Sequence, residues 1–353
     1  MAGTRIEWID ILKGIMLMLI CFSHFGYKPE GIRLLTMLTG NVWVPCFFFL
    51  SGMLFNAPKY PKFRDYLIAK TKALLLPYLV FFVIFFFLDW NLYRDTLGTI
   101  KIAAFALLDG SGPPKASPLW FVSTLYLLSL LYYLVNRYCL FVFNKVIVLF
   151  ICSFLGYVCS VLDIYVPFQI DVVMSSILFF GLAHILRSQL NNYLTFNSVK
   201  TQFFGLLIGI LLIMTSIVIS FYNYDAVLGQ NRINNYVLFY LSSFTGIVSV
   251  IILASTLWNL FSHSKSASII FNFYRYISRN GLIILAAHCY VIFVVEAYIK
   301  ISHHEFSLNL VFYAKLGAII VSMYLFFIPF SLNKLYFILG SSKRTWIETI
   351  SFK

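Results

Sequence analysis

Phe203 to Phe221 reads Phe-Phe-Gly-Leu-Leu-Ile-Gly-Ile-Leu-Leu-Ile-Met-Thr-Ser-Ile-Val-Ile-Ser-Phe, a run without a single charge. Coiled as an α-helix, it is long enough to cross roughly 30 Å of hydrocarbon. Ala73 to Leu88 is a second block of this kind. Backbone groups in lipid must be paired internally, so such blocks are helices. Apolar windows recur near 8–27, 36–56, 73–90, 118–136, 146–162, 170–187, 203–222, 236–260, 280–299 and 309–330. The expected fold is therefore all-α, a polytopic membrane helical bundle of about ten transmembrane helices. Only 91–117 is long enough to hold structure of its own, so residues 1–353 read as a single membrane domain without a soluble appendage.

Composition agrees with this and excludes a soluble protein. The chain is 61% hydrophobic and 11% charged, against about half and about a quarter for a soluble domain. A formal charge of +13 raises the question of nucleic acid, and the distribution of charge answers it. With a cytoplasmic N-terminus, the inside segments carry Arg5 and Lys13, then Lys59, Lys62, Arg64, Lys70 and Lys72. Later inside segments carry Arg137, Lys145, Arg187, Lys200, Lys265, Arg275 and Arg279, and the C-terminus carries Lys334, Lys343, Arg344 and Lys353. That asymmetry is the one expected when both termini are cytoplasmic, so the basic balance is mainly topological. The first apolar segment lacks a small-residue cleavage site and contains Lys13 and His24, so it is kept as a span and not a secretory signal. Six cysteines are scattered through the spans with no CxxC pair. They read as apolar fillers, with neither a disulfide framework nor a metal site indicated.

Ionisable groups inside a span cost a few kcal/mol, about 2.5–3.5 on insertion scales, which makes each a functional candidate. The first span has the densest set: Trp8-Ile-Asp10-Ile-Leu-Lys13-Gly14, then Cys21-Phe-Ser-His24. Lys13 and His24 are eleven positions apart, which places both on one helix face about 16 Å apart along the axis. Asp10 lies one turn below Lys13. Two readings fit. In one, Asp10 and Lys13 form an interfacial ion pair while His24 is hydrogen-bonded near the outer surface. In the other, Lys13 holds an anionic ligand and His24 transfers protons deeper in the membrane.

Arg5-Ile-Glu-Trp-Ile-Asp10-Ile-Leu-Lys13-Gly14 followed by His24 resembles the opening of the acyltransferase-3 family of bacterial membrane O-acyltransferases. That family usually has arginine where this chain has Lys13, and lysine there is similar to the fucose O-acetylase-like branch. An ammonium point charge replaces a bidentate fork at that position. Further resemblances follow in order: Pro45-Cys-Phe-Phe-Phe-Leu-Ser51-Gly52; Lys70-Thr-Lys72 with Leu74-Leu-Leu-Pro77-Tyr78; Pro118-Leu-Trp120-Phe121; and Gly281 to His288.

The resemblance implies transfer of an acetyl or similar short acyl group from acyl-coenzyme A (acetyl-CoA as co-substrate, with no permanently bound cofactor). The acceptor is a hydroxyl of a cell-envelope sugar or polysaccharide, at the bacterial cytoplasmic membrane. The residues suit that task. Lys13, Arg64, Lys70 and Lys72 are assigned to the coenzyme A phosphates, the alternative being positive-inside anchoring. His24 is the general base, or the site of a transient acyl-histidine, and Asp10 orients Lys13. Ser51 and Gly52 either bring donors to the developing oxyanion or allow tight helix packing. Trp120 reads as a sugar platform or an interfacial belt residue. His288 reads as part of the substrate site or as a structural histidine. Ile100 to Leu108, too short to span, reads as interfacial or re-entrant, and the outer segment Asn91 to Ser117 that contains it, with Trp120 just after, is the candidate acceptor site. The rival class is a polysaccharide exporter, which the absence of paired, broken-helix halves disfavours. A scaffold without chemistry would tolerate loss of His24.

Overall fold

In the computed structural model, which describes residues 6–26, 29–90, 96–194, 198–302 and 307–322, the chain is a succession of helices. They are α1 (Glu7–Ser23), α2 (Glu30–Met53), α3 (Phe63–Lys70), α4 (Leu76–Trp90), α5 (Thr96–Asp109), α6 (Trp120–Tyr138) and α7 (Val142–Val161). There follow α8 (Ile170–Ile185), α9 (Arg187–Tyr193), α10 (Val199–Phe221), α11 (Tyr236–Phe261), α12 (Lys265–Arg279), α13 (Gly281–Ser302) and α14 (Leu308–Ser322). Extended pairing among the described residues is limited to an isolated bridge between Val227 and Arg232. This is an all-α polytopic membrane bundle.

Among the described residues, eight stretches are long and apolar enough to cross a membrane: Glu30–Met53, Phe63–Leu88, Ala116–Tyr138, Val142–Val161, Pro167–Ile185, Lys200–Phe221, Tyr236–Phe261 and Gly281–Ile301. The other two expected spans correspond to α1, 17 residues with Glu7, Asp10 and Lys13 in its first half, and to α14, 15 residues as far as Ser322. Residue 27 of the expected first span, 323–330 of the last, both termini with Arg5, residues 91–95, and His303 and His304 lie outside the described residues.

The spans through α2, α6 and α8 are more than half buried and make the centre, while those through α7 and α10 are less than a quarter buried and make the rim. On α10 the exposed side chains Phe203, Leu207, Leu211, Met214, Val218 and Phe221 recur at helical spacing, the stripe that meets lipid tails. Helices α7 and α8 pack as one pair and α10 and α11 as another, and α1 sits among α2, α11, α12 and α13. Serine hydroxyls donate between helices: Ser216 to the Ser242 carbonyl at 2.8 Å, Ser249 to Gly209 at 2.7 Å and Ser243 to Asn41 at 2.7 Å. Without a hydrophobic driving force between helices in lipid, such bonds and close packing hold the bundle together.

Two irregularities shape the interior. Between α3 and α4 the chain makes a π turn, Thr71–Leu75, in which the Leu76 N–H reaches the Thr71 carbonyl. Pro77 follows immediately and has no N–H to donate, so the widened turn lets the helix continue through it. The second is the segment after α5. Residues Pro114–Leu119 form a 3-10 turn packed against α13, with Ala116 and Leu119 fully buried, so the chain dips back into the bundle before α6.

Candidate active site

Helix α1 carries the candidate groups, and its neighbours fix its position. At its start Glu7 pairs with Arg275 of α12 at 2.5 Å, and the guanidinium lies 5.9 Å from the Trp258 ring. Gly14 abuts the Tyr274 backbone carbonyl, where any side chain would collide. The helix ends at Ser23, and His24 closes it with its N–H turned back to the Cys21 and Phe22 carbonyls.

Two chambers open along α1. The first, about 420 Å³, is lined by Lys13, Ser51, Asn56, Lys59, Lys70 and aromatic residues that include Tyr60 and Tyr66. The Lys59 and Lys70 ammonium groups each lie 5.4 Å from a tyrosine ring, Tyr60 and Tyr66 respectively. Tyr133 donates to the Tyr60 carbonyl and Arg137 to the Pro61 carbonyl, both at 2.7 Å, which fixes the loop carrying Lys59. The chamber therefore gathers three ammonium groups and suits an anion. Arg64 and Lys72 are exposed and do not line it, and Asp10 sits one turn before Lys13 without lining it.

The second chamber, about 450 Å³, is lined by His24, Trp43, Trp120, Asp109, Gln169 and the Gly229 turn, among others. Here the His24 and His288 rings stand 5.1 Å apart between centroids, inclined by 59°. His288 is fully buried, and its Nδ1–H donates to the Ile284 carbonyl at 2.9 Å. Nε2 then carries the lone pair, and it has no hydrogen-bond partner among the described residues. Potential ligand atoms of His24, His288 and Cys289 lie within 4.8 Å of one another, a group of metal-ligating type that the sequence reading did not anticipate. Trp120 lies flush on Gly229, with Phe121 edge-on at 6.2 Å.

The partition between the chambers is one helical turn thick. Phe121 faces the second chamber and packs on Phe48 at 4.9 Å and Phe47 at 5.6 Å, while Leu125 and Ser51, each one turn further along, face the first. Ser51 thus stands with Lys13 and away from His24, and its hydroxyl donates to the Phe47 carbonyl at 2.8 Å. Gly52 meets the Phe180 backbone, a close helix contact.

Sequence reasoning missed Lys59, which it had counted only as an inside charge, and it missed Asp109, Gln169 and Trp43. Asp109 follows the apolar Ile100 to Leu108 stretch that had been singled out, so a signal was present. Gln169 comes from a distant connection and carried none. His184 and Glu296 also have partners within the bundle. The Tyr132 hydroxyl and His184 Nδ1 are 2.8 Å apart. Glu296 pairs at 2.5 Å with Lys315, whose side chain is wholly buried and lies 5.8 Å from the Phe25 ring. In the connection between α7 and α8, partial burial and then the nearby Asp109 raise the Tyr165 hydroxyl above the usual phenol range.

Fold and chambers define a multi-pass membrane protein with a cationic pocket and an imidazole pair at opposite ends of one helix. Residues 6–329 match the family model described as an acyltransferase domain, so the chain belongs to the acyltransferase-3 family and is a membrane acyltransferase. Neither a curated protein nor a solved structure matches it.

Proposed function

We propose that this protein moves an acetyl or similar short acyl group from acyl-coenzyme A to a hydroxyl of a cell-envelope sugar in the bacterial cytoplasmic membrane. The observation that carries the proposal is the placement of Lys13 in one chamber and His24 in the other by a single helix. With both termini cytoplasmic, the Lys13 chamber faces the cytoplasm, where acyl-coenzyme A is found. Lys13, Lys59 and Lys70 hold its phosphates as point charges. The long thin arm then runs along α1 past Phe121 and delivers the thioester to His24.

The sugar lies in the His24 chamber with a face on Trp120. Neutral His24 takes the proton of the attacking hydroxyl as its oxygen bonds to the thioester carbonyl. When the tetrahedral intermediate collapses, the carbon–sulfur bond breaks, the imidazolium returns the proton to the thiolate, and the ester and free coenzyme A leave. His288 Nε2, a lone pair facing no other described partner, stabilises the imidazolium formed beside it. Family membership favours this reading over an exporter.

The test is transfer of radiolabelled acetyl from acetyl-coenzyme A to envelope glycans in membranes carrying wild type or correctly inserted His24→Ala. Label that appears with wild type and vanishes with the variant is expected; equal labelling in both would remove His24 from the mechanism.

A further inference from the structure

The His24 chamber has a polar wall that the transfer itself does not use. Asp109 ends α5, and the turn after it is held on two sides. Ser123 donates to the Gly110 carbonyl and to that of Trp120, the latter at 2.8 Å, and Tyr78 donates to the Ser111 carbonyl at 2.7 Å. Gly110 has φ +76, and its α-carbon lies so close to Phe168 that an added side chain would press on it. Facing this turn, Phe168 and Gln169 are consecutive non-glycine residues in the left-handed region, at φ 60 and 57. Backbone strain of that kind persists only where the surroundings over-determine it, and it clusters at ligand sites.

The strained pair directs the Gln169 amide toward Asp109. Its Nε2 donates to Asp109 Oδ2 at 3.1 Å. A carboxylate only accepts, so this bond fixes which end of the amide faces it. The remaining end, Oε1, is buried with no partner among the described residues. The wall thus offers a hydrogen-bond acceptor, the Asp109 carboxylate held by Gln169, in the chamber that Trp120 also lines. Asp109 is the sole carboxylate among the described lining residues, which include no lysine or arginine.

We infer that Asp109, positioned by Gln169, selects the acceptor: a non-acidic, hydroxyl-rich sugar that donates to this wall while its ring face lies on Trp120. A uronic or sialic acid would set its carboxylate in a chamber that already holds one and whose described lining residues supply no lysine or arginine, a like-charge contact of the kind that excludes wrong ligands. The inference rests on the proposed transfer to a sugar at His24, and it is tested separately from that reading.

Full-length protein in detergent is titrated with methyl glucoside and with methyl glucuronide, two ligands that differ only in the acid group, with Trp fluorescence as the readout. The glucoside is expected to bind at least tenfold more tightly. Asp109→Asn, which keeps the shape and removes the charge, is expected to narrow that gap to under threefold. Gln169→Met is expected to weaken glucoside binding several-fold and serves as a second variant should the first not fold. Equal or tighter binding of the glucuronide, or a preference unchanged in both variants, would overturn the inference. Acetyl transfer is assayed on the same preparations. Label reaching acidic and neutral sugars alike would leave the transferase reading standing and sink the selection. The expected binding preference with no label transferred to any sugar would do the reverse.

Discussion

The Lys13 and His24 chambers are nearly equal in size and opposite in chemistry. One gathers three ammonium groups along the first half of α1, two of them laid against tyrosine rings; the other sets the exposed His24 imidazole beside the buried His288 and has no lysine or arginine among its described lining residues. The difference follows from the cost of charge. Ammonium groups near the membrane surface keep part of their hydration, so gathering several there is cheap. A general-base imidazole works best where no fixed cation opposes its protonation, which a carboxylate such as Asp109 does not do. A single helix satisfies both demands because eleven residues of α1 carry one group to each depth.

The largest effect expected is on chemistry at the His24 end. His24→Gln should lower kcat by about 10²–10⁴-fold, the usual contribution of a general base, and leave the KM for acyl-coenzyme A nearly unchanged. A variant that raised that KM and spared kcat would dissolve the division of labour. The two ends are also held differently. At the Lys13 end the Glu7–Arg275 pair is partly exposed, so Glu7→Ala should cost about 1 kcal/mol or less. Behind His24 the Glu296–Lys315 pair includes a wholly buried lysine. Glu296→Ala should cost up to about 3–5 kcal/mol, the range for removing one partner of a buried ion pair. Thermal unfolding in detergent checks both, and Glu296→Ala/Lys315→Met should recover much of the loss. Equal, small costs at the two ends would show that burial does not separate them.

Smaller effects sharpen the Lys13 end. Lys70→Gln should raise the KM for acyl-coenzyme A about tenfold, the lower range for a hydrogen bond to a charged group. Arg64→Gln and Lys72→Gln, whose side chains are exposed outside the chamber, should change it by less than about twofold, as surface charges do. Steady-state kinetics on all three separate chamber residues from topological ones; a uniform rise would mean that diffuse charge, and not the chamber, recruits the donor.

The membrane fold was legible because each span announces itself locally. Phe203 to Phe221 needs no partner to be read as a helix, and α10 follows it closely. Lys13 and His24 were legible for the same reason, since helical periodicity alone places them on one face. What sequence could not give is which groups different helices bring together. His288 reaches His24 only because α13 packs on α1, and Gln169 reaches Asp109 only through backbone strain at a connection. The basic residues differ in placement in a way that periodicity does not give. Arg64, Lys70 and Lys72 look alike in sequence, and only the tertiary packing brings Lys70 to the chamber while Arg64, six positions earlier on α3, and Lys72 stay exposed outside it.

A modest effect is expected at Gly229, which has no functional group at all. The turn that carries it is closed by the Val227–Arg232 bridge and by Asn231 in a left-handed conformation, so it cannot retreat freely. A methyl group at 229 would meet the Trp120 ring at Cζ2 and tilt the indole out of the wall it forms. An aromatic contact is worth about 0.5–1.5 kcal/mol, so Gly229→Ala should raise the acceptor KM roughly twofold to tenfold. The KM for acyl-coenzyme A should not move, since the first chamber lies beyond Phe121. Trp120→Leu should produce a loss at least as large in acceptor KM, and combining it with Gly229→Ala should add nothing further. Additive losses would mean that Gly229 serves the chamber by another route, and the comparison of the two ends would then need a second wall element at the His24 side.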